Sequence, residues 1–204
     1  ALATLGGPAH AAEALAHGAS VVVASTDVPF AAQLQQMLGA AGLDAHRSTD
    51  VRGVELAGCA KNAAVLAAAA ASGSGANAAG AAAGKVFAEV DAYARHSGVS
   101  PETFSGLAGA GDLVATVVAD GSRNRRAGEL LASGVPGDEL EPALGHAAES
   151  VDAVPLLAGV LRGEGIDAPA LEGLAALIEG RIEPDRWAES ITAPSKGKRF
   201  SRAA

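Results

Sequence analysis

The chain has 204 residues and a formal net charge of −8, which argues against nucleic acid as its main partner because phosphate backbones bind to positive surfaces. Alanine dominates the 49% of apolar residues, glycine occurs 26 times and aromatic residues make up 3%, so the core must rely on close packing of small side chains, as in tightly packed helices. The single cysteine, Cys59, excludes an intrachain disulfide and indicates a cytoplasmic protein, and the weakly apolar runs predict no membrane span.

The first fifty residues show an α/β pattern. The run SVVVAS at 20–25 predicts a short strand, residues 27–38 predict a helix with Asp27 as its N-cap, and residues 43–47 predict a second strand. Strands of a parallel sheet are normally buried on both faces, which one such unit cannot achieve, so we expect further strands upstream of Ala1. We therefore interpret residues 1–52 as the incomplete end of an α/β domain.

Strand signals are absent from Arg52 onward. Apolar periodicity, with glycine and proline at the breaks, predicts helices at 53–72, 77–97, 109–118, 123–133, 148–163, 168–180 and 184–192. The predicted fold is therefore mainly α, with an all-helical domain at 53–193 after the partial α/β segment. Residues 194–204 carry basic side chains and no acid, which predicts a solvated basic tail.

Lys61 is the most unusual residue of the helical part. Between Arg52 and Lys85, only Glu55 and Lys61 carry a formal charge. Burying an ammonium group costs on the order of several kcal/mol unless it is paired, which suggests a functional role. The alternative is structural, because lysine stems often lie on apolar surface while the charge reaches water. The neighbouring Asn62 is likewise either functional or a buried amide bonded to the backbone.

Two further motifs have the composition of ligand sites. In GAGD at 109–112, the glycines permit close backbone approach to a ligand, although composition favours Asp112 as an ordinary N-cap. In SRNRR at 122–126, three guanidinium groups lie at a predicted helix start, where backbone N–H groups and the helix dipole favour anions. The alternative for SRNRR is a solvated basic face capped by Ser122.

The remaining candidates give weaker signals. The five histidines lack the spacing of metal ligands and Cys59 has no cysteine partner, so no metal site is predicted. Glu149 lies near a predicted helix start, where an acidic side chain is favourable for the helix dipole.

Several of these motifs occur in a characteristic order. They are GGPAHAAE at 6–13, GVELAGCAKNAAVLAAAAASG at 53–73, PETFSGLAGAGDL at 101–113 with AGAGDLVAT at 108–116, SRNRR at 122–126, and the acid at Glu149. In this order and spacing they resemble the bacterial NAD(P)-dependent glycerol-3-phosphate dehydrogenases. The resemblance implies a Rossmann-type dinucleotide domain followed by a helical substrate domain. It also implies interconversion of sn-glycerol 3-phosphate and dihydroxyacetone phosphate with NAD or NADP, in a homodimer that serves phospholipid biosynthesis.

The resemblance further implies roles for individual residues. Lys61, in the motif CAKN, corresponds to the proton acceptor. The implied substrate contacts are Gly7, Lys61, Asp112, Ser122, Arg123 and Asn124. The implied contacts to NAD or NADP are Ala11, Arg123, Ala147 and Glu149.

Departures from the family pattern leave alternatives open. Ala9 lacks the hydroxyl expected after Gly-Pro, Ala60 replaces a bulkier aliphatic residue, and Ser150 stands where glycine is common. A G-x-G-x-x-G loop after a strand is absent, so we expect little dehydrogenase activity from these 204 residues alone. The alternatives are a related dehydrogenase of another hydroxy acid or sugar phosphate, and a non-catalytic helical association module.

Overall fold

The computed structural model describes residues 1–119 and 121–194, so the predicted basic tail lies outside the described residues except for Pro194. The N-terminal part is a small mixed sheet in the order β1, β2, β3. Strand β1 (Thr4–Gly6) pairs antiparallel with β2 (Ser20–Ala24), which pairs in parallel with β3 (Asp44–Ser48). Helices α1 (Ala11–His17) and α2 (Val28–Ala40) connect these strands.

The predicted strand-helix-strand unit is confirmed. Its two strands are parallel, with Val22 opposite His46. The predicted cap is also present, since the Asp27 carboxylate accepts a hydrogen bond from the Phe30 N–H at 3.0 Å. The antiparallel β1 and the short helix α1 were not predicted.

The rest of the described chain is helical and contains no strand, which confirms a mainly α fold. The helices are α3 (Val51–Ala70), α4 (Ala76–His96), α5 (Pro101–Ser105), α6 (Asp112–Val118), α7 (Arg123–Ala132), α8 (Gly137–Leu144), α9 (Glu149–Gly163), α10 (Pro169–Ile178) and α11 (Pro184–Thr192). A 3₁₀ turn at Ser72–Ser74 joins α3 to α4, and a π-helical turn at Leu107–Gly111 precedes α6.

Helix α3 is the centre of the helical part, and its start is fixed by Asp50. One carboxylate oxygen of Asp50 accepts the Gly53 N–H at 3.0 Å, which caps α3. The other oxygen accepts the Ser100 N–H at 3.2 Å and the Thr103 hydroxyl at 2.6 Å. A single carboxylate therefore connects the first turn of α3 both to the residue before α5 and to α5 itself.

Small side chains let helix α7 cross α3 at close range. Gly128 of α7 lies at the crossing, where an added Cβ would be 2.4 Å from the Leu66 carbonyl oxygen and 2.6 Å from the Ala69 Cβ. Both helices are buried around this point. Since any side chain at Gly128 would push the helices apart, this glycine sets the distance between α3 and the start of α7.

The last three helices pack around Trp187 of α11, which is fully buried. Its indole lies against Gly173 of α10, where an added Cβ would be 2.8 Å from the indole Cδ1. The Glu89 carboxylate on α4 accepts the N–H groups of Ala170 at 3.0 Å and Leu171 at 2.7 Å. Glu89 thus caps α10 from a distant part of the chain.

Four elements and one helix type differ from the sequence prediction. Strand β1 and helix α5 are too short to show periodicity, α1 has no buried residue, and α8 contains Pro142 in its interior. The prediction of one α-helix over 109–118 is wrong in its first part, because residues 107–111 form the π-helical turn and α6 begins at Asp112. The other helices begin and end within about two residues of their predicted bounds.

Candidate functional site

Lys61 of α3 forms an ion pair with Asp112 at the start of α6. The distance from the Lys61 Nζ to the Asp112 Oδ2 is 3.1 Å, and the two side chains are 17% and 10% exposed. The Lys61 Nζ also donates to the Thr116 Oγ1 at 3.3 Å. The Thr116 hydroxyl in turn donates to the Asp112 carbonyl oxygen at 2.8 Å. The ammonium group therefore has two fixed partners inside the protein.

The π-helical turn explains how Asp112 reaches Lys61. The Gly111 N–H bonds to the Gly106 carbonyl at 3.0 Å, which is the wider i to i+5 spacing. An added Cβ at Gly109 would be 2.1 Å from the Phe104 carbonyl oxygen, so only glycine fits this turn. The N-cap of α6 is Gly111, and Asp112 is the first residue of the helix. The interpretation of Asp112 as an ordinary N-cap is therefore wrong, because its carboxylate is committed to the lysine.

Lys61 lines a cavity of about 490 Å³ between the helical part and α1. Its lining combines basic, acidic, small and neutral polar side chains. Its lining consists of His10, Ala11, Ala12, Glu13, Lys61, Asn62, Thr116, Gly121, Ser122, Arg123, Asn124 and Glu149.

The first turn of α7 forms one wall of this cavity. Ser122 is the N-cap, as one alternative from the sequence proposed, and its Oγ accepts the Arg125 N–H at 3.3 Å. Of the three guanidinium groups of SRNRR, only that of Arg123 belongs to this cavity. Arg125 and Arg126 line a separate cavity of about 310 Å³, to which Arg123 and His146 also contribute. The wall facing Lys61 is therefore less basic than the motif predicts.

Asn124 is hydrogen-bonded to Ser150, the second residue of α9. The Ser150 Oγ donates to the Asn124 Oδ1 at 2.7 Å, and the Ser150 N–H donates to the same atom at 3.4 Å. Ser150 is 1% exposed. Next to it, Glu149 begins α9 and is exposed, the favourable first-turn position expected from the sequence.

Cys59 of α3 is half-buried and lies near enough to Glu149 to feel its charge. Burial raises the pKa of the Cys59 thiol above its ordinary value of 9.0, and the negative charges of Glu149 and Glu55 raise that pKa further. The thiol is therefore protonated near neutral pH and is a poor nucleophile.

The structure brings most of the predicted site residues together. Ala11, Lys61, Ser122, Arg123, Asn124 and Glu149 line the cavity, and Asp112 joins it through its bond to Lys61. Gly7 and Ala147 do not line it, so their roles stay predictions. The presence of glycine at position 7 is explained by the fold alone. Its φ of +116° suits glycine, and an added Cβ would be 3.0 Å from the Ser20 carbonyl oxygen.

Sequence reasoning missed three polar residues of the site. Thr116 follows Asp112 by one helical turn, so the spacing i to i+4 could have indicated it once α6 was placed. His10 and Glu13 come from the loop before α1 and from α1 itself, a helix that was not predicted. Within residues 1–119 and 121–194, no group of three or more His, Cys, Asp and Glu side chains is arranged to hold a metal ion. None of the described helices is long and apolar enough to cross a membrane.

Comparison with known proteins supplies the family context. A family model described as the C-terminus of NAD-dependent glycerol-3-phosphate dehydrogenase matches residues 50–189. Glycerol-3-phosphate dehydrogenase (NAD(P)+) of Variovorax paradoxus strain S110 is 35% identical over 192 residues, which cover 92% of this chain and 57% of that protein. The enzyme of the same name from Bradyrhizobium sp. strain BTAi1 is 37% identical over 193 residues, which cover 93% of this chain and 57% of the relative.

The similarity extends to a solved structure. The crystal structure of glycerol-3-phosphate dehydrogenase from Coxiella burnetii superposes with a TM-score of 0.85 at 29% identity, covering 93% of this chain and 59% of that one. The chain therefore spans somewhat more than half the length of the relatives it matches.

Proposed function

We infer the function of this chain from its family and its cavity. The chain belongs to the NAD-dependent glycerol-3-phosphate dehydrogenases. The cavity contains an ion-paired lysine together with several hydrogen-bond donors that suit an anion. We propose that the protein interconverts sn-glycerol 3-phosphate and dihydroxyacetone phosphate, with NAD or NADP as the cofactor. The observation that carries this proposal is the position of Lys61, held by Asp112, in one cavity with Ser122, Arg123 and Asn124.

The paired lysine suits the proton transfer of this reaction. Oxidation of a secondary alcohol needs a base that removes the hydroxyl proton as a hydride leaves the carbon. Once the Lys61 ammonium group has released its own proton to water, the amine takes the hydroxyl proton, which restores the ammonium group 3.1 Å from the Asp112 carboxylate. In the direction of reduction, the same ammonium returns the proton to the oxygen of the ketone. The nicotinamide, when bound, supplies the acceptor or donor of the hydride.

The start of α7 suits the phosphate of the substrate. Ser122, Arg123 and Asn124 lie together at a helix N-terminus, where exposed N–H groups and the dipole favour an anion. The guanidinium of Arg123 adds charge-assisted hydrogen bonds. The donors at the start of α7 and the Lys61 amine line the same cavity. A small phosphorylated alcohol could therefore place its phosphate at the donors and its hydroxyl at Lys61.

The cavity also has groups that fit a dinucleotide. The Arg123 guanidinium suits a phosphate oxygen, the exposed carboxylate of Glu149 suits a ribose hydroxyl, and Ala11 on α1 leaves room beside them. We propose that these three residues, together with Ala147, contact NAD or NADP. The proposal extends to a homodimer acting in the cytoplasm for phospholipid biosynthesis, and size-exclusion chromatography with light scattering would test the dimer.

Replacement of Lys61 tests the proposal most directly. In protein with measurable dehydrogenase activity, we expect Lys61→Ala to lower kcat by about 10² to 10⁴, the range of a lost general acid or base. The matched control is Lys85→Ala, since Lys85 lies outside the cavity and its Nζ donates to the Ile191 carbonyl. Turnover that survives Lys61→Ala would remove Lys61 from the mechanism.

Competition with anions tests the substrate class. We expect inorganic phosphate to compete with glycerol 3-phosphate, because both need the donors of Ser122, Arg123 and Asn124. If a hydroxy acid without phosphate were turned over equally well and phosphate did not compete, the preferred substrate would be wrong.

A further inference from the structure

Ser150 holds the side chain of Asn124 from a position that none of the proposed catalytic or binding roles includes. The residue is one of the few buried polar residues among the described ones, at 1% exposure. Its two donors, the hydroxyl and the backbone N–H, converge on the Asn124 Oδ1 at 2.7 Å and 3.4 Å. The Ser150 N–H is one of the N-terminal N–H groups of α9 that have no partner within their own helix, so Asn124 of α7 also caps α9.

These contacts determine which way the Asn124 amide points. A backbone N–H can only donate, so the Asn124 atom that faces it must be the carbonyl oxygen and not the amide nitrogen. The Ser150 hydroxyl reinforces this orientation as a second donor. If the amide were rotated by 180°, its Nδ2 hydrogens would face the Ser150 N–H, which would leave two donors opposed.

The orientation has a consequence for the cavity. The Asn124 Nδ2 lies on the edge of the amide opposite to Ser150, and Asn124 lines the cavity with Lys61, Ser122 and Arg123. No hydrogen bond from the Asn124 Nδ2 to another residue is present in the described part of the chain. The residue therefore offers two N–H donors and no acceptor to a ligand, next to the guanidinium of Arg123.

We propose that Ser150 is a positioning residue that fixes the Asn124 amide with its N–H groups toward the cavity, and so makes this wall selective for a phosphoryl oxygen. The terminal oxygens of a phosphate monoester are mostly deprotonated near neutral pH and accept hydrogen bonds, so they match a wall of donors, whereas an exposed acceptor at this point would repel them. The inference rests on the proposed function, because it assigns the phosphate of the substrate to this wall.

The experiment compares phosphate binding in three variants of this chain. Ser150→Ala removes the hydroxyl and keeps the weaker backbone contact. Asn124→Asp keeps the acceptor for Ser150 and replaces the donor group by a second oxygen. The matched control is Ser190→Ala, since the part-buried Ser190 hydroxyl donates to the Trp187 carbonyl in a different region of the fold. The probe is inorganic phosphate, titrated while the side-chain NH₂ signals of Asn124 are followed by ¹⁵N NMR.

We expect Ser150→Ala to weaken phosphate binding about fivefold, the effect of losing one net hydrogen bond that orients a donor. In the free chain, the same variant shifts the NH₂ signals of Asn124, whereas Ser190→Ala leaves both the signals and the affinity unchanged. Asn124→Asp weakens binding by at least about tenfold, because a carboxylate faces the anion.

Each other outcome identifies what is wrong. If Ser150→Ala binds phosphate as tightly as the parent chain while Asn124→Asp does not, the phosphate site stands and the positioning role of Ser150 is overturned. If Asn124 NH₂ signals are unchanged in Ser150→Ala, Ser150 does not set the amide orientation and the inference fails as well. If the parent chain binds no phosphate, both this inference and the phosphate site of the proposed function are refuted.

Discussion

The Lys61 ammonium has its partners inside the protein rather than in solvent. From the sequence, a functional lysine and a lysine that extends its charge to water were both possible explanations. The side chain is 17% exposed and bonds to both Asp112 and Thr116. An ammonium group that is held by a carboxylate and a hydroxyl is already ordered. A ligand that binds in the cavity therefore does not have to immobilise the Lys61 side chain.

The Thr116 hydroxyl should contribute to catalysis by holding Lys61. It links the Lys61 amine to the Asp112 carbonyl, at 3.3 Å and 2.8 Å. We expect Thr116→Val, which is similar in shape, to lower kcat about fivefold to tenfold through the loss of one buried hydrogen bond to a charged group. Thr116→Ser keeps the hydroxyl and should retain most of the activity. Steady-state kinetics of the active protein check this, and equal rates for the valine and serine variants would contradict it.

Among the residues of the site, the charged ones were the easiest to predict from the sequence. Lys61 was visible because formal charge is so scarce around it, and Asp112 because two glycines precede it. Ser150 and Thr116 were not predicted as site residues, since an isolated hydroxyl in an apolar helix gives no signal by itself. Their roles depend on which neighbours the fold brings within hydrogen-bond distance, and the chain separations from Ser150 to Asn124 and from Thr116 to Lys61 are 26 and 55 residues.

At the scale of elements, the crossing of α3 and α7 sets the width of the site. Lys61 lies on α3, and the hydrogen-bond donors that suit an anion lie at the start of α7. The distance between these helices therefore decides whether one ligand can contact the lysine and the donors at the same time. Gly128 allows their contact, with an added Cβ only 2.4 Å from the Leu66 carbonyl oxygen. Chemistry and packing are therefore linked through a residue that touches no ligand.

We expect Gly128→Ala to lower the free energy of unfolding by about 1 to 3 kcal/mol, the usual cost of overpacking a closed interface. The same substitution at Gly159 is the matched control, because Gly159 lies within α9 with open space around it. Gly159→Ala should be neutral or stabilise the chain by up to about 1 kcal/mol through helix propensity. Urea unfolding measures both, and a Gly128→Ala variant as stable as the parent would show that the helices are not in close contact.

The cap of α10 by Glu89 predicts a dependence of stability on pH. Burial raises the pKa of Glu89 above its ordinary value of 4.5, and this outweighs the opposing effect of the N–H groups of Ala170 and Leu171. The folded chain therefore keeps the proton of Glu89 at pH values where the unfolded chain has lost it. This contribution to stability is complete below pH 4.5 and is lost as the pH rises through the folded-state pKa.

Glu89→Gln removes this titration and tests the sign. We expect the difference in the free energy of unfolding between the parent chain and Glu89→Gln to shift against the parent as the pH rises above 4.5. At still higher pH, the difference becomes constant. Urea unfolding at a series of pH values measures it, and a difference that grows in favour of the parent with rising pH would contradict the raised pKa.

The long helices were predictable from sequence and the short elements were not. Helix α11 has its predicted bounds, because Pro184 marks its first turn and the periodicity of its apolar residues is clear. In contrast, α8 contains Pro142, and α5 is five residues long, so neither shows a helical pattern. The π-helical turn before Asp112 also escaped prediction, since its wider hydrogen bonds have no pattern of their own in sequence.

At the scale of the whole molecule, the two parts differ in how far their helices and strands are buried. The helical part has a continuous core that extends from α3 to α11. Both parts expose some large apolar side chains, such as Leu15 at 91% in α1 and Val118 at 73% in α6. In the part with the sheet, however, neither β1 nor α1 contains a buried residue. The cavity lies between these two parts, so one of its walls is stable and the other is supported by few contacts.

Helix α1 forms that weaker wall, and hydrogen exchange of this chain should show it. Of its seven residues none is buried, and its N-cap His10 makes no capping bond with its side chain. We expect the amides of α1 to exchange through local opening, orders of magnitude faster than those of α3, whose exchange requires global unfolding. Helix α2 is the internal control and should be intermediate, because Asp27 caps it and Ala31 is buried. Mass spectrometry of peptides from the three helices measures the rates. Equal protection of α1 and α3 would show that α1 is covered in solution, and the cavity would then have two rigid walls before any ligand binds.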